Sequence, residues 1–218
     1  MAEVRAVLFD LDGTLADTAP DLGRALNRLR ADRGLEPLPI GVMRAHASSG
    51  ARGLLKAGFG LAPESAGYNA LRDRFLELYA ENLCVDTRLF DGIPGLLSKI
   101  EARPLPWGIV TNKAKRFTEP LLRTLAIGHR AACVVSGDST PHIKPHPAPL
   151  LQAAMLLALP AEDCVYVGDD LRDVQAARAA GMRFAAAGWG YLGDGADPRT
   201  WEADAVISDP REILDLLW

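Results

Sequence analysis

Short uninterrupted apolar runs recur along this chain, and longer stretches with helical spacing lie between them. Val4 to Phe9, Trp107 to Thr111, Ala132 to Ser136 and Cys164 to Gly168 read as buried strands, with further candidates at Arg183 to Ala187 and Ala205 to Ile207. Arg116 to Leu125, Pro147 to Leu157 and Leu171 to Ala180 repeat their apolar residues with the period of a helix. Apolar strands alternating with helices predict an α/β fold, a Rossmann-like parallel sheet covered on both faces.

One region breaks this rhythm. From about Pro20 to Phe90 no buried strand is evident, and Leu22-Ala25-Leu26-Leu29 and Leu71-Phe75-Leu78-Tyr79 have the spacing of amphipathic helices. That is more helix than an ordinary crossover needs. The pattern therefore predicts an inserted α-helical cap at 18–90 and a sheet domain assembled from 1–17 and 91–218.

The bulk properties narrow the function classes. The chain has 218 residues, 49% of them apolar, and a net charge of -4. It lacks the clustered Lys and Arg that a nucleic-acid or anionic membrane surface needs. Asp10 and Asp12 interrupt the only early apolar run, so neither a signal peptide nor a membrane span is expected, and a cytoplasmic location follows. Cys84, Cys133 and Cys164 are widely spaced and read as reduced, mostly buried thiols.

Ligands of open parallel sheets bind beyond the carboxyl ends of the strands. The polar residues at those ends are Asp10-x-Asp12-Gly13-Thr14, Thr111-Asn112-Lys113, Lys144-Pro145 farther down a loop, and Gly168-Asp169-Asp170-Leu171-Arg172-Asp173. Each has an ordinary reading alone: a turn or calcium loop, a strand-end hydroxyl, a solvated lysine, a helix N-cap. The calcium loop fails because Leu15 stands where its glycine is needed and a strand, not a helix, precedes it. Together the four are far more specific. Carboxylates gathered on one edge stay ionised only around a cation, and a hard all-oxygen set suits Mg²⁺. A lysine and a hydroxyl in such a site imply phosphate as the missing partner. Asp10 can then attack phosphorus, while Asp12 can protonate the leaving alcohol and later take a proton from water.

These four stretches resemble the four motifs of the haloacid dehalogenase-like superfamily. The resemblance implies Asp10 as nucleophile, Asp12 as general acid/base, and Thr111, Asn112 and Lys144 around the phosphate. It also implies Mg²⁺ held by Asp10, the main-chain carbonyl of Asp12 and Asp169, with Asp173 ordering its water shell; Asp170 stands where members vary. Within the superfamily the chain is similar to the phosphoglycolate phosphatase group. Leu105 to Lys113 with Arg116-Phe117, Ser49-Gly50-Ala51-Arg52 and Trp189-Gly190-Tyr191 resemble the N-acetylmuramic acid 6-phosphate phosphatases. The implied ligand is a small phosphorylated metabolite, acted on by a monomer or homodimer. In the cap, Ser49, Gly50 and Arg52 are the substrate-binding candidates, Arg52 offering a fork for a carboxylate.

Rival chemistries share part of this set. Haloalkanoic acid dehalogenation needs neither metal nor Asp12, and phosphonate cleavage needs a cap lysine, for which only Lys56 is present. A sugar-phosphate mutase shares every core residue. A phosphoaspartate signalling module combines acids, Thr and Lys but has no large cap.

Overall fold

A computed structural model of the chain describes residues 3–193 and 197–217. In chain order its elements begin with β1 (Ala6–Phe9), β2 (Ala16–Asp17), α1 (Ala19–Ala31), α2 (Ile40–Ala47), α3 (Gly50–Phe59), α4 (Tyr68–Glu81) and β3 (Arg88–Leu89). They continue with α5 (Ile93–Glu101), β4 (Trp107–Val110), α6 (Lys115–Thr124), β5 (Cys133–Val135), α7 (Ala148–Leu156), β6 (Cys164–Gly168), α8 (Leu171–Ala180), β7 (Arg183–Ala187) and β8 (Ala205–Ile207). The six predicted strands all form, within two residues of the expected ends.

Those six make one sheet in the order β5-β4-β1-β6-β7-β8, with every pairing parallel. Alternation within the strands decides which face each side chain covers. Val7, Phe9, Val165 and Val167 pack beneath α5 and α6 with Leu96, Ile100 and Leu121. Ala6, Leu8, Cys164 and Tyr166 face α7 and α8 with Leu150, Ala153 and Ala177. Burial on both faces is why these strands read as continuous apolar runs. Cys133 and Cys164 are buried free thiols, and their burial pushes each up to about 11.

Helices α1 to α4 gather a separate apolar cluster that includes Leu22, Leu26, Leu29, Leu54, Phe75 and Leu78. The amphipathic spacing in α1 and α4 thus points inward as its period requires. Phe117 and Tyr191, from the sheet-bearing part, join this cluster and tie it to the rest. One feature departs from the sequence expectation. The residues flanking the helical segment form a small antiparallel pair, Ala16 opposite Leu89 and Asp17 opposite Arg88. Two residues per strand carry no periodicity that a sequence pattern could reveal. No helix among the described residues is long and apolar enough to cross a membrane.

Candidate active site

Strands β4, β1 and β6 are neighbours, so their carboxyl ends deliver Thr111, Asp10 and Asp169 side by side. Asp10 donates its main-chain N–H to Val167 O at 2.9 Å, which fixes its side chain at the sheet edge. Asp10, Asp169 and Asp173 are buried, with carboxylate oxygens all within 4.8 Å of one another. Lys144 Nζ lies 2.9 Å from Asp10 Oδ1 and 2.8 Å from Asp173 Oδ1. It also donates to Tyr166 Oη at 2.6 Å and to Val110 O at 3.1 Å.

The electrostatics follow from this crowding. Burial pushes the Asp10 carboxyl up to about 7; Lys144 opposes that rise, and Asp173 and Asp12 add to it. Burial, with Asp10 and Asp173 beside it, holds Asp169 well above the usual carboxylate range. Burial disfavours charge on Lys144, but Asp10 and Asp173 outweigh it and keep the ammonium above its ordinary value. Three carboxylates therefore crowd together where one ammonium pairs with two of them, Asp10 and Asp173, and Asp10 Oδ1, though close to Lys144, has no aligned hydrogen-bond donor. A buried carboxylate oxygen in that condition, inside an all-oxygen set with excess negative charge, fits a hard divalent cation.

Asp169 is braced from three sides. It accepts from Thr14 Oγ1 at 3.1 Å, Ser48 Oγ at 3.1 Å and Tyr191 N at 2.8 Å. The chain passes it closely at Gly13, where φ is +85° and an added Cβ would fall 2.1 Å from Asp169 Oδ2. Gly13→Ala should therefore displace Asp169 and strain the turn, costing about 1–3 kcal/mol. The denaturation midpoint measures it, and a wild-type midpoint would mean the loop yields freely.

Asp12 stands apart from the three-carboxylate cluster. Its Oδ1 pairs with Lys113 Nζ at 2.9 Å and accepts from Thr18 Oγ1. Asp12 Oδ1 is thus taken by a lysine and a hydroxyl, and Asp12 is not part of the close group formed by Asp10, Asp169 and Asp173. Asn112 lines the cavity above these residues and is also bonded to the Lys144 main chain. Its amide donates to Lys144 O at 3.0 Å and accepts from Lys144 N at 2.9 Å. Both polar atoms bond the Lys144 main chain, so Asn112 sets where that lysine stands. Thr111 is buried beside them, and its Oγ1 accepts from Lys113 N at 3.1 Å.

Above these residues lies a cavity of about 680 Å³. Asp10, Asp12, Thr111 and Lys144 line one side, and Ser48 to Arg52 with Phe75 and Tyr79 line the other. Ser49, Gly50 and Arg52 therefore face the same space as the carboxylates. Lys56 is exposed and is not among the lining residues.

Arg172 was not anticipated. It grips Asp170 with two bonds of 2.8 Å and donates to Ser48 O at 2.8 Å, joining the loop after β6 to the turn between α2 and α3. Asp170 also opens α8 with a capping box that includes Asp173. The loop after β7 is a second omission: Trp189 Nε1 donates to Thr14 O at 3.0 Å and Tyr191 Oη to Asp17 Oδ1 at 2.9 Å. An Asp/Arg pair two residues apart was the one available signal for the first; for the second, only the resemblance marked those aromatics.

Adjacent strand ends of a parallel sheet thus assemble a lysine-paired aspartate, two further acids and a hydroxyl under a helical segment, a carboxylate-centred site on an α/β fold. Residues 7–187 match the family described as haloacid dehalogenase-like hydrolase. The chain is 42% identical over 214 residues to an N-acetylmuramic acid 6-phosphate phosphatase of Pseudomonas aeruginosa, covering 98% of this chain and 95% of that protein. It is 43% identical over 212 residues to a phosphoglycolate phosphatase of Xanthomonas campestris pv. campestris, covering 97% and 95%. A crystal structure described as a predicted phosphoglycolate phosphatase from Haemophilus somnus superposes with a TM-score of 0.88 at 27% identity, covering 100% of both chains. The chain belongs to the haloacid dehalogenase-like hydrolase family, among its phosphatases.

Proposed function

We propose that the protein is a Mg²⁺-dependent phosphatase of a small, carboxylate-bearing phosphate monoester, working through an aspartyl-phosphate on Asp10. The observation that carries this reading is Asp10 itself: a buried carboxylate at the end of β1, 2.9 Å from Lys144 and facing the cavity. Lys144 offsets charge on the nucleophile and on the arriving phosphoryl group, while Thr111 offers a hydroxyl at the same edge. Asp10, Asp169, Asp173 and the main-chain carbonyl of Asp12 are the groups that would hold Mg²⁺. When bound, the ion supplies charge neutralisation for phosphoryl oxygens among these acids. Asp10 forms the bond to phosphorus as the ester oxygen departs, and Asp12 hands that oxygen a proton. Asp12 then accepts a proton from the water that releases phosphate.

Residues 18–90 act in this reading as the cap over the 1–17 and 91–218 core, excluding water and contacting the leaving group. Two relatives are named for substrates that carry a carboxylate beside the phosphate, 2-phosphoglycolate and N-acetylmuramic acid 6-phosphate. Arg52 is exposed and lines the cavity, which places it where a substrate carboxylate can reach it. The protein would work in the cytoplasm, as a monomer or homodimer, with no nucleic acid or membrane as partner.

The test is phosphate release from a panel of phosphorylated metabolites, with Mg²⁺ and with excess chelator. Activity should require the ion, and full activity in chelator would overturn the reading. Arg52→Ala should lower kcat/KM about 10- to 100-fold for a carboxylate-bearing ester and far less for 4-nitrophenyl phosphate. Equal losses on both would assign Arg52 a structural role. Steady turnover also separates this reading from a phosphoaspartate signalling module, and independence from a bisphosphate activator separates it from a mutase.

A further inference from the structure

Lys113 is a second lysine at this site, with its side chain largely covered, and the phosphate chemistry above makes no use of it. Its side chain is only 8% exposed, and its Nζ sits 2.9 Å from Asp12 Oδ1. On its other side the ammonium lies 4.9 Å from the ring centroid of Tyr79 on α4. Tyr79 is itself buried and packs on Phe117 of α6, ring centroids 5.5 Å apart. The Lys113 main chain is pinned as firmly. Its N–H donates to Thr111 Oγ1, and its carbonyl accepts from Gly137 N at 2.8 Å and Thr118 Oγ1 at 3.0 Å.

From this geometry we infer that Lys113 is the positioning residue for Asp12, holding the carboxylate in place and linking its orientation to the seating of α4. The inference rests on the reading of Asp12 as general acid/base. A largely covered ammonium needs a counter-charge, and the Asp12 carboxylate supplies it. The pairing occupies Oδ1, which Thr18 also contacts; Oδ2 is left to meet the ester oxygen. Because the lysine is fixed at both its main chain and its head, it constrains the carboxylate where a mobile surface lysine could not. The Tyr79 face attracts the same cation from the helical side, so displacing α4 removes one of the two groups that hold the ammonium.

A positioning residue for an acid leaves a kinetic signature that phosphate binding does not. kcat/KM reports the steps up to phosphorylation of Asp10, in which an alkyl alkoxide needs a proton to depart and 4-nitrophenolate does not. Lys113→Met should lower kcat/KM about 10- to 100-fold for the best alkyl phosphate of the panel and less than about 3-fold for 4-nitrophenyl phosphate. Inhibition by inorganic phosphate should be unchanged. On an Asp12→Asn background the same substitution should cost the alkyl substrate nothing more. Lys113→Gln, which keeps one donor, should show the same selectivity in smaller measure, and carries the test if the Met variant folds poorly.

Equal losses on both substrates, weaker phosphate inhibition, or losses additive with Asp12→Asn would overturn the inference and make Lys113 a phosphate ligand or a scaffold residue. The underlying reading fails separately: Asp12→Asn alone would then show no preference for the alkyl ester.

Discussion

Asp10→Asn is expected to abolish turnover while raising the stability of the metal-free protein above neutral pH. The amide cannot attack phosphorus, yet it has nearly the size of the carboxylate and keeps the strand end filled. The gain in stability follows from linkage. The Asp10 carboxyl moves from 3.8 to about 7 on folding, chiefly through burial. The folded state therefore binds this proton more tightly than the unfolded chain does. That contribution is fully present below the unfolded value and disappears as pH rises through about 7.

At pH 8 without metal, the wild type must hold an ionised carboxylate in a site it shares with Asp173 and Asp169, and Asp10→Asn removes it. At 1.36 kcal/mol per pKa unit the effect is bounded at about 4 kcal/mol. Lys144 beside it offsets part of that charge, so about 1–3 kcal/mol is expected, several degrees in Tm for a chain of this length. Melting curves at pH 5 and pH 8 in chelator measure it, and the variant should show the flatter pH dependence. More than a few per cent of wild-type activity in Asp10→Asn would remove Asp10 from the nucleophile's place.

The carboxyl ends of β1, β4 and β6 were legible in the sequence because each apolar run stops at its polar residues, and adjacency in a parallel sheet then brings them together. Helices α1 and α4 were legible for the same reason: Leu22, Leu26, Leu71 and Phe75 repeat with the helical period and are buried. Contacts made across the fold were not. Arg172 to Ser48 spans 124 residues and Tyr191 to Asp17 spans 174, and no local pattern encodes either. Asn112 shows a subtler limit. An amide at a strand end serves a ligand or a neighbouring main chain equally well, and here the Lys144 main chain bonds both atoms. Lys113 was visible as a strand-end lysine, while its partner Asp12 became evident only once β1 and β4 lay side by side.

Asp12→Asn is the substitution that should separate the two halves of the reaction. Steady-state turnover is expected to fall by about two to four orders of magnitude, the usual share of a general acid/base. With 4-nitrophenyl phosphate the first half needs no proton, so the variant should still phosphorylate Asp10. It should release about one equivalent of 4-nitrophenol per site in a burst, then stall, because no base takes a proton from the attacking water. Its effect on stability should be opposite to that of Asp10→Asn. Asp10 is crowded by Asp169 and Asp173, so neutralising it relieves repulsion. Asp12 is the counter-ion of Lys113, whose side chain is 8% exposed, so neutralising it leaves a largely covered ammonium without its carboxylate. A loss of about 1–3 kcal/mol by thermal melting is expected, below the figure for a fully buried pair because water reaches Asp12. Wild-type turnover, or a slow reaction without a burst, would show that Asp12 does not move the proton in the second half. Two carboxylates two residues apart thus respond to the same substitution with opposite changes in stability, because one is crowded by negative charge and the other is held by positive charge.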